Sequence, residues 1–244
     1  MGTGEQHQTL EFEGESHRFV SSHIADFPEA PGWILNSRTV RATAIKSVLD
    51  VGCGPGTYLR SMVRELSIPQ GVGVEPSAEA VGLLRQTYAS QSALSFEVGS
   101  AHDLPFETDH FDLVVCWSVL HWVGRNEYLQ ALGELVRVTM DLLVVMDFVP
   151  AQPYKVAYRH DPRFRTYKTD FVPLILGSGI MRVVEDLRWW DGNDPGTVHA
   201  LEEADLQPFL GNHLNYHARR GAIFRKDYDA MPLLSEADFA PPES

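Results

Sequence analysis

Cysteine is nearly absent. Cys53 and Cys116 are the only two in the 244-residue chain, and they form neither a C-x-x-C pair nor a ligand cluster. A disulfide framework and a zinc site both require more. The pair therefore reads as two reduced, small apolar residues near the ends of strands, and no metal is expected. Basic residues are also scarce, with 20 Lys and Arg against 33 Asp and Glu, a net charge of −13. That balance argues against a nucleic-acid partner, because phosphate binding needs a basic surface. No stretch approaches the roughly 18 consecutive apolar residues of a membrane helix, so no membrane partner is expected. The N-terminus, with Glu5, Glu11, Glu13 and Glu15, has neither the basic start nor the apolar run of a signal peptide. A cytoplasmic protein is the expectation, and its oligomeric state, monomer or homodimer, is left open. Repeats and low-complexity segments are absent as well.

What is present begins at Ser47-Val48-Leu49-Asp50-Val51-Gly52-Cys53-Gly54-Pro55-Gly56-Thr57. Val48, Leu49 and Val51 form a β-favouring apolar run. Leu59, Met62, Val63 and Leu66 then recur at helical spacing. Three glycines between strand and helix permit a tight turn and bring backbone N–H groups close to a ligand. Thr57 stands where a dinucleotide fingerprint would place its third Gly or Ala. A second strand, Gly71-Val72-Gly73-Val74-Glu75, ends in a carboxylate about 20 residues further on. In an open α/β sheet that carboxylate lies beside the first glycine turn, placed to accept both hydroxyls of a ribose.

Two more segments follow in order, Val98-Gly99-Ser100-Ala101-His102-Asp103-Leu104-Pro105-Phe106 and Phe111-Asp112-Leu113-Val114-Val115-Cys116-Trp117-Ser118-Val119-Leu120-His121-Trp122-Val123. With the D-x-G-x-G-x-G turn and Glu75, they resemble the four motifs of class I S-adenosylmethionine (SAM)-dependent methyltransferases. The resemblance covers residues 47 to about 146. It implies a Rossmann-like seven-stranded sheet, mostly parallel with an antiparallel last strand, and helices on both faces. It also implies SAM as cofactor and S-adenosyl-L-homocysteine as product.

The cofactor-binding residues that the resemblance implies are Asp50, Gly52, Gly54, Gly56, Glu75, Ser100, Ala101, His102 and Cys116. Asp50 either braces the glycine loop or reaches the methionine ammonium through water. Ser100 replaces the Asp that commonly accepts from the adenine amino group in this family, and Ala101 or His102 can share that task. Cys116, Trp117 and Ser118 follow the fourth strand, where the sulfonium should lie. They are not the Asp/Asn-Pro-Pro-Tyr of enzymes that methylate nucleic-acid bases or glutamine amides. His121 matches a position where small-molecule methyltransferases often carry His. It either takes a proton from an attacking hydroxyl or amine or packs beside the cofactor.

The pattern divides the chain into an N-terminal helical cap (1–46, with 1–17 polar and frayed), a SAM-binding core (47–150) and specificity insertions with the last strands (151–244). Strands are expected at 47–51, 71–75, 94–98, 111–116, 142–148, 181–190 and 222–226. Helices are expected at 57–66, 78–90, 127–138, 171–176 and 201–210. Such alternation implies βαβ units. Between 155 and 168 the acidic chain carries Lys155, Arg159, His160, Arg163, Arg165 and Lys168, interleaved with tyrosines. Tyr154, Tyr158, Arg163, Arg165 and Tyr167 are the candidate substrate residues. They form either a wall recognising an anionic group or a solvated surface. Methyl transfer to an O or N atom of a small metabolite is the leading expectation, with an anionic metabolite the option that the basic run raises. The alternatives are an NAD(P)-dependent oxidoreductase on a similar sheet and a non-catalytic SAM-fold binding protein.

Overall fold

Alternation along each apolar run decides which way its side chains point. In β1 (Ser47–Val51), Leu49 and Val51 enter one core while Val48 enters another. Helices α1 (Gln8–His23), α2 (Gly32–Leu35) and α3 (Arg38–Ala42) precede it. Helix α4 (Thr57–Glu65), β2 (Gln70–Glu75), α5 (Ala78–Thr87), β3 (Leu94–Val98), β4 (Phe111–Trp117), α6 (Tyr128–Val138) and β5 (Thr139–Phe148) follow. In β4 and β5 the split repeats: Leu113, Val115, Leu142 and Val144 face one way, Val114, Cys116, Leu143 and Val145 the other. Both faces are thus apolar, as a parallel sheet covered by helices requires. Leu59, Met62, Val81 and Leu84 of α4 and α5 cover one face, and Leu132 and Leu135 of α6 cover the other.

The chain continues through β6 (Tyr154–Ala157), β7 (Arg165–Lys168), α7 (Val172–Leu176), β8 (Met181–Asp191), β9 (Val198–Ala200) and β10 (Ala218–Lys226). The main sheet has the order β3-β2-β1-β4-β5-β10-β8-β9, while β6 and β7 form a separate hairpin. Strands β1 to β5 pair in parallel, and β10 inserts antiparallel between β5 and β8. The expected seven strands are present, and the short β9 adds an eighth at the edge. Two strands reverse the direction of winding at β1 and β4, which opens a crevice at their carboxyl ends.

The computed structural model describes residues 8–25, 31–150, 152–158, 164–191, 198–200 and 218–231. The expected helix at 201–210 and Arg163 lie outside them. The frayed segment expected at 1–17 is corrected by α1, which begins at Gln8. Its polar sequence hides Ser16, Phe19 and Val20, which share one helical face. Val20 is fully buried, Ser16 bonds to Glu75, and Phe19 packs beside Gly54 of the glycine loop. The β6–β7 hairpin likewise fills a stretch from which no strands were expected.

Candidate functional site

The glycine loop after β1 is held from three sides. The backbone N–H groups of Gly52 and Cys53 donate to Val74 O, and Tyr88 Oη donates to Pro55 O at 2.8 Å. Gly54 N donates to Glu75 Oε1 at 2.6 Å. Gly52 adopts a φ of 68°, where an L side chain is strained, and a Cβ there would collide with Val119. Gly56 plays a different part. It does not line the cavity, and a Cβ on it would press on Tyr88 and Phe96, so it lets the loop pack closely on those two rings.

Glu75 closes β2 and is buried, with Ser16 Oγ of α1 donating to its Oε2 at 2.6 Å. Asp50 sits close by on β1, 2% exposed, and its Oδ2 has no hydrogen-bond partner among the described residues. Burial, followed by repulsion from Glu75, pushes the Asp50 carboxyl up to about 7. Burial also raises Glu75, against the lowering effect of its two hydrogen bonds. These groups line a cavity of about 840 Å³, near the upper end of the roughly 300–1,000 Å³ range of small-molecule sites. Ser100, Ala101 and His102 line the same cavity after β3, with Ser100 Oγ 3.3 Å from His102 Nε2. Cys116 lies behind it in the core, fully buried, its thiol pushed up mainly by burial. Cys53 lines the cavity, and both cysteines are free.

Beside the glycine loop, where Val119 abuts Gly52, the chain leaves β4 through Ser118, whose φ is 57°. A left-handed backbone at a non-glycine residue costs about 1–3 kcal/mol. It is fixed here by the bond from Ser118 N to Met146 O at 2.8 Å. The turn leads into a single 3-10 turn, Leu120–Trp122, that carries His121. Asp147 of β5 grips His121 twice: Oδ1 lies 2.8 Å from Nδ1, and Oδ2 accepts the backbone N–H at 3.1 Å. Phe148 N also donates to Asp147 Oδ1 at 2.7 Å. Despite its burial, the His121 ring and these donors hold the Asp147 carboxyl below its ordinary range. An ionised Asp147 fixes the tautomer with the proton on Nδ1, leaving Nε2 to accept a proton. Burial, helped by Lys168 and Arg219, lowers His121 against the raising effect of Asp147, and the lowering favours the neutral ring.

Of the expected substrate residues, Tyr158 lines the cavity, its ring 4.7 Å from that of Trp122. Tyr154, Arg165 and Tyr167 stand on the hairpin outside the lining. Arg165 is exposed, and Tyr167 is buried under the Arg125 guanidinium at 4.8 Å. Trp33 packs with Trp117 and Trp189 at centroid distances of 5.8 and 6.4 Å.

Several lining residues were not singled out from sequence: Ser16, Phe19, Arg125, Phe148 and Arg219. Asp147, behind His121, was missed too. A signal for it existed, because Asp147 ends the apolar run Leu142–Met146 as Glu75 ends Gly71–Val74.

Residues 48–141 match the methyltransferase domain family. An uncharacterised methyltransferase of Schizosaccharomyces pombe is 34% identical over 126 residues, 47% of this chain and 45% of that protein. Ajmaline N-methyltransferase of Rauvolfia serpentina is 33% identical over 96 residues, 38% of this chain and 32% of that one. The chain thus spans less than half the length of either relative. The N-methyltransferase NodS of Bradyrhizobium japonicum, solved in complex with S-adenosyl-L-homocysteine, aligns over 86% of this chain and 98% of its own. Its TM-score is 0.51 at 15% identity, a likeness of fold.

Proposed function

We propose that this chain, which carries a class I SAM-dependent methyltransferase domain at residues 48–141, transfers a methyl group to an oxygen or nitrogen atom of a small molecule. The observation that carries this reading is that Glu75, the glycine loop and His121 line one cavity. The residues present fit the cofactor. Asp50 Oδ2 is buried without a hydrogen-bond partner among the described residues, and a Cβ at Gly54 would press on Phe19 in the space beside the loop. Glu75 would accept from the ribose hydroxyls, and Ser100, Ala101 and His102, which line the same cavity, would meet the adenine.

When bound, SAM supplies a methyl carbon already activated on a sulfonium, so the protein needs to orient rather than to activate it. Trp117, Trp122, Phe148 and Tyr158 supply aromatic surface in the cavity lining against which an acceptor can pack. His121 Nε2 takes the proton released by an attacking hydroxyl or amine. Asp147 stabilises the imidazolium that results and keeps the ring in place, which is the base-and-orienter arrangement general catalysis requires. Positioning alone can supply much of the acceleration, on the order of 7–11 kcal/mol at its upper end.

The test is incubation with methyl-labelled SAM and a panel of small phenols, hydroxy acids and amines, read by mass spectrometry. The wild type should give a labelled product, and His121→Ala should form it about 10²–10⁴-fold more slowly. Label that enters only protein or nucleic acid would contradict the small-molecule reading.

A further inference from the structure

Glu75 meets its two donors through different oxygens. Gly54 N reaches Oε1 and Ser16 Oγ reaches Oε2, each at 2.6 Å. The carboxylate is 6% exposed, and a group so covered needs donors from the protein, because an unpaired charge is costly away from water. The two donors differ in kind. Gly54 N is backbone, in a loop tied to Val74 of β2 through Gly52 N and Cys53 N. Ser16 Oγ is an alcohol, brought in by α1.

An alcohol on this carboxylate is also what a ribose would offer. Ser16 and Glu75 line the same cavity, so Ser16 reaches the carboxylate beside the space that a cofactor would enter. Phe19 lines that cavity too and lies against Gly54, where a Cβ would come within 3.3 Å of its ring. Helix α1 thus covers both features that mark the cofactor site, the carboxylate and the middle glycine. Yet it is lightly held. Between residues 15 and 23 only Ser16 and Val20 are buried, one helical turn apart. The contact of His17 Nδ1 with Glu79 Oε2 at 3.4 Å is exposed, and such surface pairs contribute little. A carboxylate can accept more than two hydrogen bonds. One as covered as Glu75 has little surface left for two ribose hydroxyls while Ser16 stays in place.

We infer that Ser16 is a built-in competitor for the ribose seat: α1 closes on Glu75 as a latch, and the hydroxyls of the cofactor open it. This rests on the methyl-transfer reading, which is what brings a ribose to Glu75. Linkage then makes the effect reciprocal. A ligand that excludes the closed latch releases α1, and a weakened latch tightens the ligand.

The probes are S-adenosyl-L-homocysteine and its 2′,3′-dideoxy analogue, which has no hydroxyl for Glu75. Each is titrated calorimetrically into wild type and Ser16→Ala, and limited proteolysis follows α1. S-adenosyl-L-homocysteine should bind Ser16→Ala about fivefold or more tightly than wild type, while the analogue binds the two equally. Saturating S-adenosyl-L-homocysteine should speed cleavage of wild type within residues 8–23 by about fivefold or more and leave that of Ser16→Ala unchanged. Ser16→Thr, which keeps the hydroxyl, should behave as wild type. S-adenosyl-L-homocysteine that binds Ser16→Ala no more tightly than wild type, or that slows cleavage of α1, overturns the latch and leaves the methyl-transfer reading standing. Binding by neither protein sinks that reading, and the latch with it.

Discussion

Ser16 Oγ donates to Glu75 Oε2 at 2.6 Å, so α1 holds the same carboxylate that the glycine loop holds through Gly54 N. The helix is fastened to the cofactor end of the cavity by a charge-assisted bond, worth about 1.5–3 kcal/mol. Ser16→Ala should therefore loosen α1, read as cleavage within residues 8–23 by a low concentration of protease at least tenfold faster than in wild type. Unchanged cleavage would show that Phe19 and Val20 suffice to hold the helix.

His121 and Asp147 should act as one unit. Asp147→Asn removes the ion that sets the tautomer, so turnover should fall about 10²-fold or more while S-adenosyl-L-homocysteine affinity holds. The pH profile gives the sign. Burial lowers His121, so the acid limb of kcat/KM should lie below the ordinary histidine value of about 6.5. Asp147 raises the ring, and its replacement should move that limb further to acid. A limb at or above pH 6.5 in wild type, or no movement in the variant, contradicts the assignment.

Asp50 couples the cofactor end to pH. Its folded-state value is raised to about 7 from 3.8, so the native state keeps a proton that the unfolded chain has released. The stability from that proton is full below about pH 4 and is lost as pH rises toward 7. Asp50→Asn escapes the loss. Its melting temperature should gain on wild type steadily from pH 4.5 to 7 and hold a constant lead above that, while SAM binding weakens. A lead that does not change with pH would place the Asp50 charge elsewhere than in the buried floor.

The sheet and the meeting of the glycine loop with Glu75 were legible because the segments that form them are local in the chain. The runs at 47–51, 71–75 and 111–116 announce buried strands, and the glycines after 51 with the acid at 75 define the crevice between them. The surroundings of His121 were not legible because they are not local. Arg219 meets Phe148 across β10 and β5, and Asp147 meets His121 across β5 and the turn after β4. Such pairings depend on register between strands far apart in sequence. The basic run at 155–168 drew attention through composition. Its exposed Lys155 and Arg165 show how weakly charge content alone locates a side chain. Helix α1 was hidden too, because its start is polar and its buried face consists of few residues.

Titration of the purified chain with SAM, with NAD as the control, tests the central claim most directly. Wild type should bind SAM at a single site and NAD not at all. Glu75→Ala should weaken SAM at least tenfold with the fold intact by circular dichroism, since two charge-assisted hydrogen bonds are lost. Absence of SAM binding in wild type, or an unchanged dissociation constant in Glu75→Ala, would contradict the account.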